Sequence, residues 1–198
     1  VSFDLREGEI LAFAGLMGAG RSETMRAIYG AAPWHGDGIR FLDRTVRFRS
    51  PKEALASGVA MLQEDRKVLS LFMELPIHFN MSIGALPGYS RYGLIDYRKM
   101  NGLIKKYVDA LGIKLASVNH PVKSLSGGNQ QKTILGRWLS VDPKVLILDE
   151  PSHGVDVGAK AEIYSLIRKL ADEGRSVIII SSELPEVLAL ADRVVVMY

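Results

Sequence analysis

Three stretches of this sequence hold residue types that handle phosphate and a hard cation. Gly15, Leu16, Met17, Gly18, Ala19, Gly20, Arg21 and Ser22 fit the pattern G-x-x-x-x-G-K-[ST] at every required position but one, where Arg21 stands for the lysine. Glycines at these places let successive backbone N–H groups wrap an oxyanion, and a helix expected over 22–29 points its positive end at the same spot. Anion binding is expected to survive the exchange. Arginine is nevertheless planar and larger than the compact ammonium it replaces, so the exchange is not conservative in a tight loop. The second stretch, LSGGNQQ, sets Ser126, Gly127 and Gly128 before a run whose apolar residues recur at helical spacing, which makes Ser126 the expected N-cap of an anion-friendly helix start. The third, VLILDEP, is a short apolar run ending in Asp149 and Glu150 before Pro151. It reads as a buried parallel strand that delivers two carboxylates at its C-terminal edge. Taken singly, an SGG triplet is often only a turn and an LDE only a strand end; the helix-length interval between them makes the combination specific.

These groups need a framework. Strands are predicted over 1–6 and 9–14, joined by a turn at Glu7 and Gly8, with the second running straight into Gly15. The segments IRFLD and TVRFR within 38–49 alternate as a β-hairpin. Its Arg40, Arg44, Arg47 and Arg49 read as a solvated face, because no aromatic platform for nucleobases accompanies them. Ser50 and Pro51 open a short helix that Gly58 ends, and 59–62 is a buried strand delivering Gln63, Glu64, Asp65 and Arg66. Over 67–123 the signal turns helical, clearest at 80–86 and 96–111. The apolar Leu71, Phe72, Met73, Leu75, Ile77 and Phe79 there read by spacing as the core of a small subdomain. An amphipathic helix over 158–171, a strand over 176–181, a helix through 186–190 and a strand over 193–197 complete the pattern. His78 and His120 lack a second ligand at metal spacing, so neither suggests zinc.

LSGGNQQ, the helix after it and VLILDEP together resemble the signature and Walker B motifs of the ABC-type ATPases, and the 15–22 loop is similar to a P-loop with arginine for lysine. The resemblance implies Mg-ATP as ligand. Gly15, Gly18, Ala19, Gly20, Arg21, Ser22 and Glu23 would then lie at the phosphates, and Ser22, Asp149 and Gln63, the last in the place of the Q-loop glutamine, at magnesium. Glu150 would be the base or water-orienting carboxylate. Ser126, Gly127, Gly128, Asn129 and Gln130 would complete a nucleotide site on a second cassette paired head to tail, and Asp156 would be the D-loop acid. Where the family carries a switch histidine, at the end of SVIIISS, stands Ser182. A serine hydrogen-bonds but supplies no positive charge to a transition state. With Arg21 and Ser182 the chain's own site is expected to be degenerate, while its signature face is intact.

A narrower resemblance rests on EDRK after the 59–62 strand, GLMGAGR and GVDVGAKAEIY: the chain is similar to the second of the two fused cassettes in bacterial importers of monosaccharides such as ribose, galactose and xylose. Gln63 and His153 depart from that pattern. The resemblance implies membrane permease subunits and, indirectly, a sugar-binding protein as partners, at the cytoplasmic face of the membrane. It also places the adenine-stacking aromatic before Val1.

The expected fold is α/β: a P-loop NTPase core with a parallel sheet, an antiparallel β edge and an inserted helical subdomain over 64–124, within one nucleotide-binding domain spanning 1–198. A start at Val1, without methionine and already in a strand, is expected of a domain excised from a longer two-cassette chain. The 198 residues, 47% hydrophobic and 24% charged, suit one globular core. A net charge of +3 is too weak to argue for nucleic acid. Zero cysteines excludes disulfides and cysteine-ligated zinc. Two other functions stay open, a non-transport ABC ATPase and a regulatory ATP-binding module without turnover.

Overall fold

A computed structural model of the chain describes every residue except Met17, Trp34, His35 and Asp37, so the Met17 position of the phosphate loop lies outside the described residues. In chain order the elements are β1 (Ile10–Gly15), α1 (Arg21–Ile28), β2 (Ile39–Phe41), β3 (Arg44–Val46), α2 (Pro51–Ala56), β4 (Val59–Leu62), α3 (Ile77–Ser82), β5 (Ser90–Arg91), β6 (Leu94–Ile95), α4 (Tyr97–Ala110), α5 (Gly127–Leu139), β7 (Val145–Asp149), α6 (Val157–Asp172), β8 (Ser176–Ser181), α7 (Leu184–Leu190) and β9 (Arg193–Met197). They fall into two compact units. The first takes Val1–Met61, Pro143–Glu150 and Ile167–Tyr198; the second takes Leu62–Asp142 and Pro151–Leu166.

The first unit is built on a sheet of order β4-β7-β8-β1-β9, in which β1 pairs in parallel with β8 and β9, and β7 in parallel with β8. Its central strands β7 and β8 are apolar and buried between their end residues, as strands covered on both faces must be. Leu11, Phe13, Ile147, Ile178 and Ile180 form one core with Met25 and Tyr29. The antiparallel element is the β2–β3 hairpin. Its turn residues Leu42 and Asp43 both take left-handed backbone, at φ 46 and 62, which matches the twist of a two-residue hairpin.

Residues 1–6 form no strand, contrary to the sequence reading. β1 is already paired on both sides by β8 and β9, so no backbone edge remains for a hairpin partner. The segment is held by side chains instead. Phe3 meets Phe13 edge to face at 4.9 Å, and Arg193 reaches Asp4 and Glu9.

In the second unit, α5 is buried along nearly its whole length and packs against α3 and α4, with Met81, Ile104, Leu111, Ile134, Leu135 and Leu139 inside. The helix expected over 80–86 runs instead from Ile77 to Ser82, starting after Pro76, whose fixed φ suits a helix entry. No helix among the described residues is long and apolar enough to cross a membrane.

Candidate functional site

The register of the first sheet brings three strand ends level, with Ala14 opposite Ser181 and Asp149 opposite Ile180. Functional side chains of an open parallel sheet gather at this carboxyl edge. Gly15 ends β1 with the Met197 carbonyl so close that a Cβ has no room, so glycine is required there. Gly18 and Ala19 follow in the loop, where the Ala19 N–H donates to the Leu16 carbonyl at 3.1 Å. Gly20 takes φ 81 as N-cap of α1 and offers no side-chain cap, the arrangement that leaves first-turn amides for an oxyanion. Glu23, in that first turn, is exposed.

Ser22 Oγ donates to Asp149 Oδ1 at 2.9 Å, and Asp149 is fully buried. A hydroxyl and a carboxylate oxygen in contact beneath a phosphate-type loop form an oxygen-only donor set that fits magnesium, an ion that takes its remaining ligands from water and substrate phosphates. Glu150 follows at φ 48. Its N–H continues the ladder to the Ile180 carbonyl at 2.9 Å, and its Oε1 accepts from the Ser182 N–H at 2.8 Å. Two expected site residues, Glu150 and Ser182, therefore meet, through the serine's backbone rather than its hydroxyl. Arg21 is 8% exposed, and its Nη1 donates to the Ser181 carbonyl at 2.5 Å.

The second unit carries the other candidates. Ser126 stands at the N-cap of α5, where the sequence places it, although its side chain makes no cap hydrogen bond. Its Oγ instead accepts from Asn129 Nδ2 at 3.0 Å, while Asn129 Oδ1 accepts the Lys114 N–H at 2.9 Å. Gly127 opens the helix, and buried Gly128 lies where a Cβ would sit 2.6 Å from Ala159 Cβ. Gln130 donates through Nε2 to the Leu125 carbonyl at 3.1 Å. Asp156 caps α6, its Oδ1 accepting the Ala159 N–H at 2.9 Å. Ser126, Asn129 and Asp156 line one cavity of about 170 Å³, together with Lys114, Lys132 and Glu162. Gln63 directly follows β4, half-buried, in this second unit.

The family model described as ABC transporter matches residues 1–153. The chain belongs to the ABC transporter family. Over all 198 residues the cassette is 50% identical to a ribose import ATP-binding protein of Geobacillus kaustophilus, and 49% identical to a putative ribose/galactose/methyl galactoside import ATP-binding protein of Pseudomonas syringae pv. tomato. It covers 40% and 38% of their lengths, so it spans well under half of these relatives. Solved structures share its fold. A nucleotide-free ATP-binding cassette from an ABC transporter superposes with TM-score 0.83 at 24% identity, covering all of this chain and 80% of that one. A cassette in a dimeric post-hydrolysis state bound to ADP and Pi superposes at 0.82 and 18% identity, covering 98% of this chain and 83% of that one.

Two residues of this cassette escaped the sequence reading. Lys132 is 4% exposed yet donates to the Gly112 carbonyl at 3.2 Å and to Glu162 Oε2 at 2.5 Å, and this hydrogen bond and charge hold the Glu162 carboxyl below its ordinary range. The only available signal was a lysine inside the run that forms α5. Its partner, thirty positions on, carries none.

Proposed function

We propose that the cassette binds Mg-ATP on its P-loop and, paired head to tail with a second cassette, powers import of a monosaccharide from the cytoplasmic face of a bacterial membrane. The observation that carries the ligand assignment is the Ser22 Oγ to Asp149 Oδ1 contact beneath the uncapped start of α1. Backbone amides of the loop formed by Gly15, Gly18, Ala19 and Gly20 hold the phosphates, and Ser22 and Asp149 hold magnesium. Magnesium there neutralises phosphate charge. Glu150 orients water, and its carboxylate is steadied by the Ser182 N–H.

The identities to ribose and ribose/galactose import proteins support a sugar as cargo, with permease subunits and a sugar-binding protein as further partners. The dimeric cassette of the same fold supports pairing. In that pair Ser126, Gly127, Gly128, Asn129, Gln130 and Asp156 serve the partner's nucleotide, while this chain's own site, with Arg21 and Ser182, hydrolyses ATP poorly.

Isothermal calorimetry tests the binding step. The wild-type chain is expected to release heat with Mg-ATP and the Gly20→Asp chain none, because an aspartate at φ 81 sets a negative charge where phosphate belongs. Absence of heat and of any thermal shift with wild type would overturn the proposal.

A further inference from the structure

At the carboxyl edge of the first unit's sheet, a cation and an anion grip opposite ends of one peptide. The Ser181 carbonyl accepts from Arg21 Nη1 at 2.5 Å, and the N–H of that same peptide unit, carried by Ser182, donates to Glu150 Oε1 at 2.8 Å. Arg21 is 8% and Ser181 1% exposed, so the carbonyl end is shielded from water, where charge-assisted hydrogen bonds are strong. A cation on the carbonyl polarises the amide and strengthens the N–H as a donor to the anion on its other side. Glu150 has a particular need of such a hold. Its backbone is left-handed, at φ 48, a conformation that costs energy for any residue with a Cβ and persists only when its surroundings impose it.

We propose that Arg21 is a positioning residue for Glu150: its guanidinium fixes the plane of the Ser181–Ser182 peptide and thereby aims the Glu150 carboxylate, instead of ligating phosphate. The planar fork of arginine supplies directional donors that suit this task, and a lysine in its place is a point charge without a fixed plane. Phosphate is left to the backbone amides of the loop, which require only the glycines. The role rests on contacts within one chain, so it stands apart from the proposed import function.

The test follows the Ser182 amide by NMR in the ¹⁵N-labelled chain without nucleotide, for wild type, Arg21→Met, Arg21→Lys and Glu150→Gln. Glu150→Gln is expected to move the Ser182 amide proton upfield and to speed its solvent exchange by about tenfold or more, since the bond to a charged acceptor is lost. Arg21→Met is expected to move the same resonance in the same direction although residue 21 does not touch that N–H, and Arg21→Lys to restore only part of the shift, because it returns the charge without the planar fork. A parallel titration with a fluorescent ADP is expected to find Arg21→Met within about threefold of the wild-type affinity. A Ser182 amide that stays in place in Arg21→Met overturns the proposal. So does a loss of nucleotide affinity beyond about tenfold in that variant, which marks a phosphate ligand. If Arg21→Met does not fold, Arg21→Gln, which keeps a donor and drops the charge, is expected to move the amide part of the way, and no movement there is equally fatal. Failure of wild type to bind ADP strikes the proposed function and leaves the amide measurement standing.

Discussion

Lys132 Nζ lies 2.5 Å from Glu162 Oε2, tying α5 to α6 inside the second unit. The lysine is buried and the glutamate half-exposed, so the pair is anchored at one end and hydrated at the other. The folded carboxyl, held chiefly by this hydrogen bond, titrates below its ordinary 4.5. A depressed carboxylate contributes stability that is fully present above its unfolded value and disappears as pH falls through the folded one. Glu162→Gln is therefore expected to melt below wild type at neutral pH, with the gap closing as pH drops beneath 4.5. Thermal melts of both chains across that range check it; a gap independent of pH would mean that the charge contributes nothing.

Two glycines of α5 make a contrasting pair. A Cβ at Gly128 meets the rigid Ala159 Cβ at 2.6 Å, whereas one at Gly136 meets the flexible tip of Met81 at 2.8 Å and Leu111 Cδ1 at 3.2 Å. Alanine gains about 1 kcal/mol over glycine in a helix, and forced overpacking costs about 1–3 kcal/mol. Gly128→Ala is expected to destabilise by about 1–2 kcal/mol and Gly136→Ala to stay within about 1 kcal/mol of wild type. Urea denaturation midpoints separate the two. Equal values would show that α6 yields as readily as a methionine side chain.

Arg137 ties α5 to the 70–80 segment within the second unit. Its Nε and Nη1 donate to the Asn80 and Ser70 carbonyls at 2.6 Å each, and Nη2 to Asn80 Oδ1 at 3.1 Å. Burial pushes its pKa down to about 10, so it remains charged at neutral pH. Asn80 in turn donates to the Phe72, Leu75 and Pro76 carbonyls, holding a turn that leaves Phe72 exposed. Arg137→Met is expected to cost about 3 kcal/mol and to make the Phe72 region cleavable, because the buried Asn80 carbonyl and the half-buried Ser70 carbonyl lose their charged donor. Equilibrium unfolding and limited proteolysis with chymotrypsin measure both effects; protection of Phe72 equal to wild type would refute the tie.

The proposed head-to-tail pairing would divide the labour between the chain's two candidate sites. Within an assembled transporter, Ser126→Arg is expected to reduce ATP turnover about a hundredfold or more, since it sets a bulky cation at the helix start offered to the partner's nucleotide. Glu150→Gln, in the site with Arg21 and Ser182, is expected to cost far less. Steady-state ATPase rates decide between the two. Equal collapse would make this cassette's own site a working one.

Features carried by neighbouring residues were legible in the sequence. The phosphate loop after an apolar strand, the helix after LSGG, and Asp149 and Glu150 at a strand end are each set by local spacing and backbone preference. The 1–6 segment misled because its apolar residues, Phe3 and Leu5, do pack on the core, and only the strand order reveals that both edges of β1 are occupied. Arg21 bonds to a carbonyl 160 positions away, and Ser182 to a carboxylate 32 positions away. Those partners are chosen by the sheet order β7-β8-β1, which inserts the end of β8 between the glycine-rich loop after β1 and the carboxylates of Asp149 and Glu150. A single sequence records which groups lie at strand ends. Which of them share one peptide is decided by the parallel register, because hydrogen bonds reach only about 3 Å and a shift of one residue would aim each side chain at the opposite face.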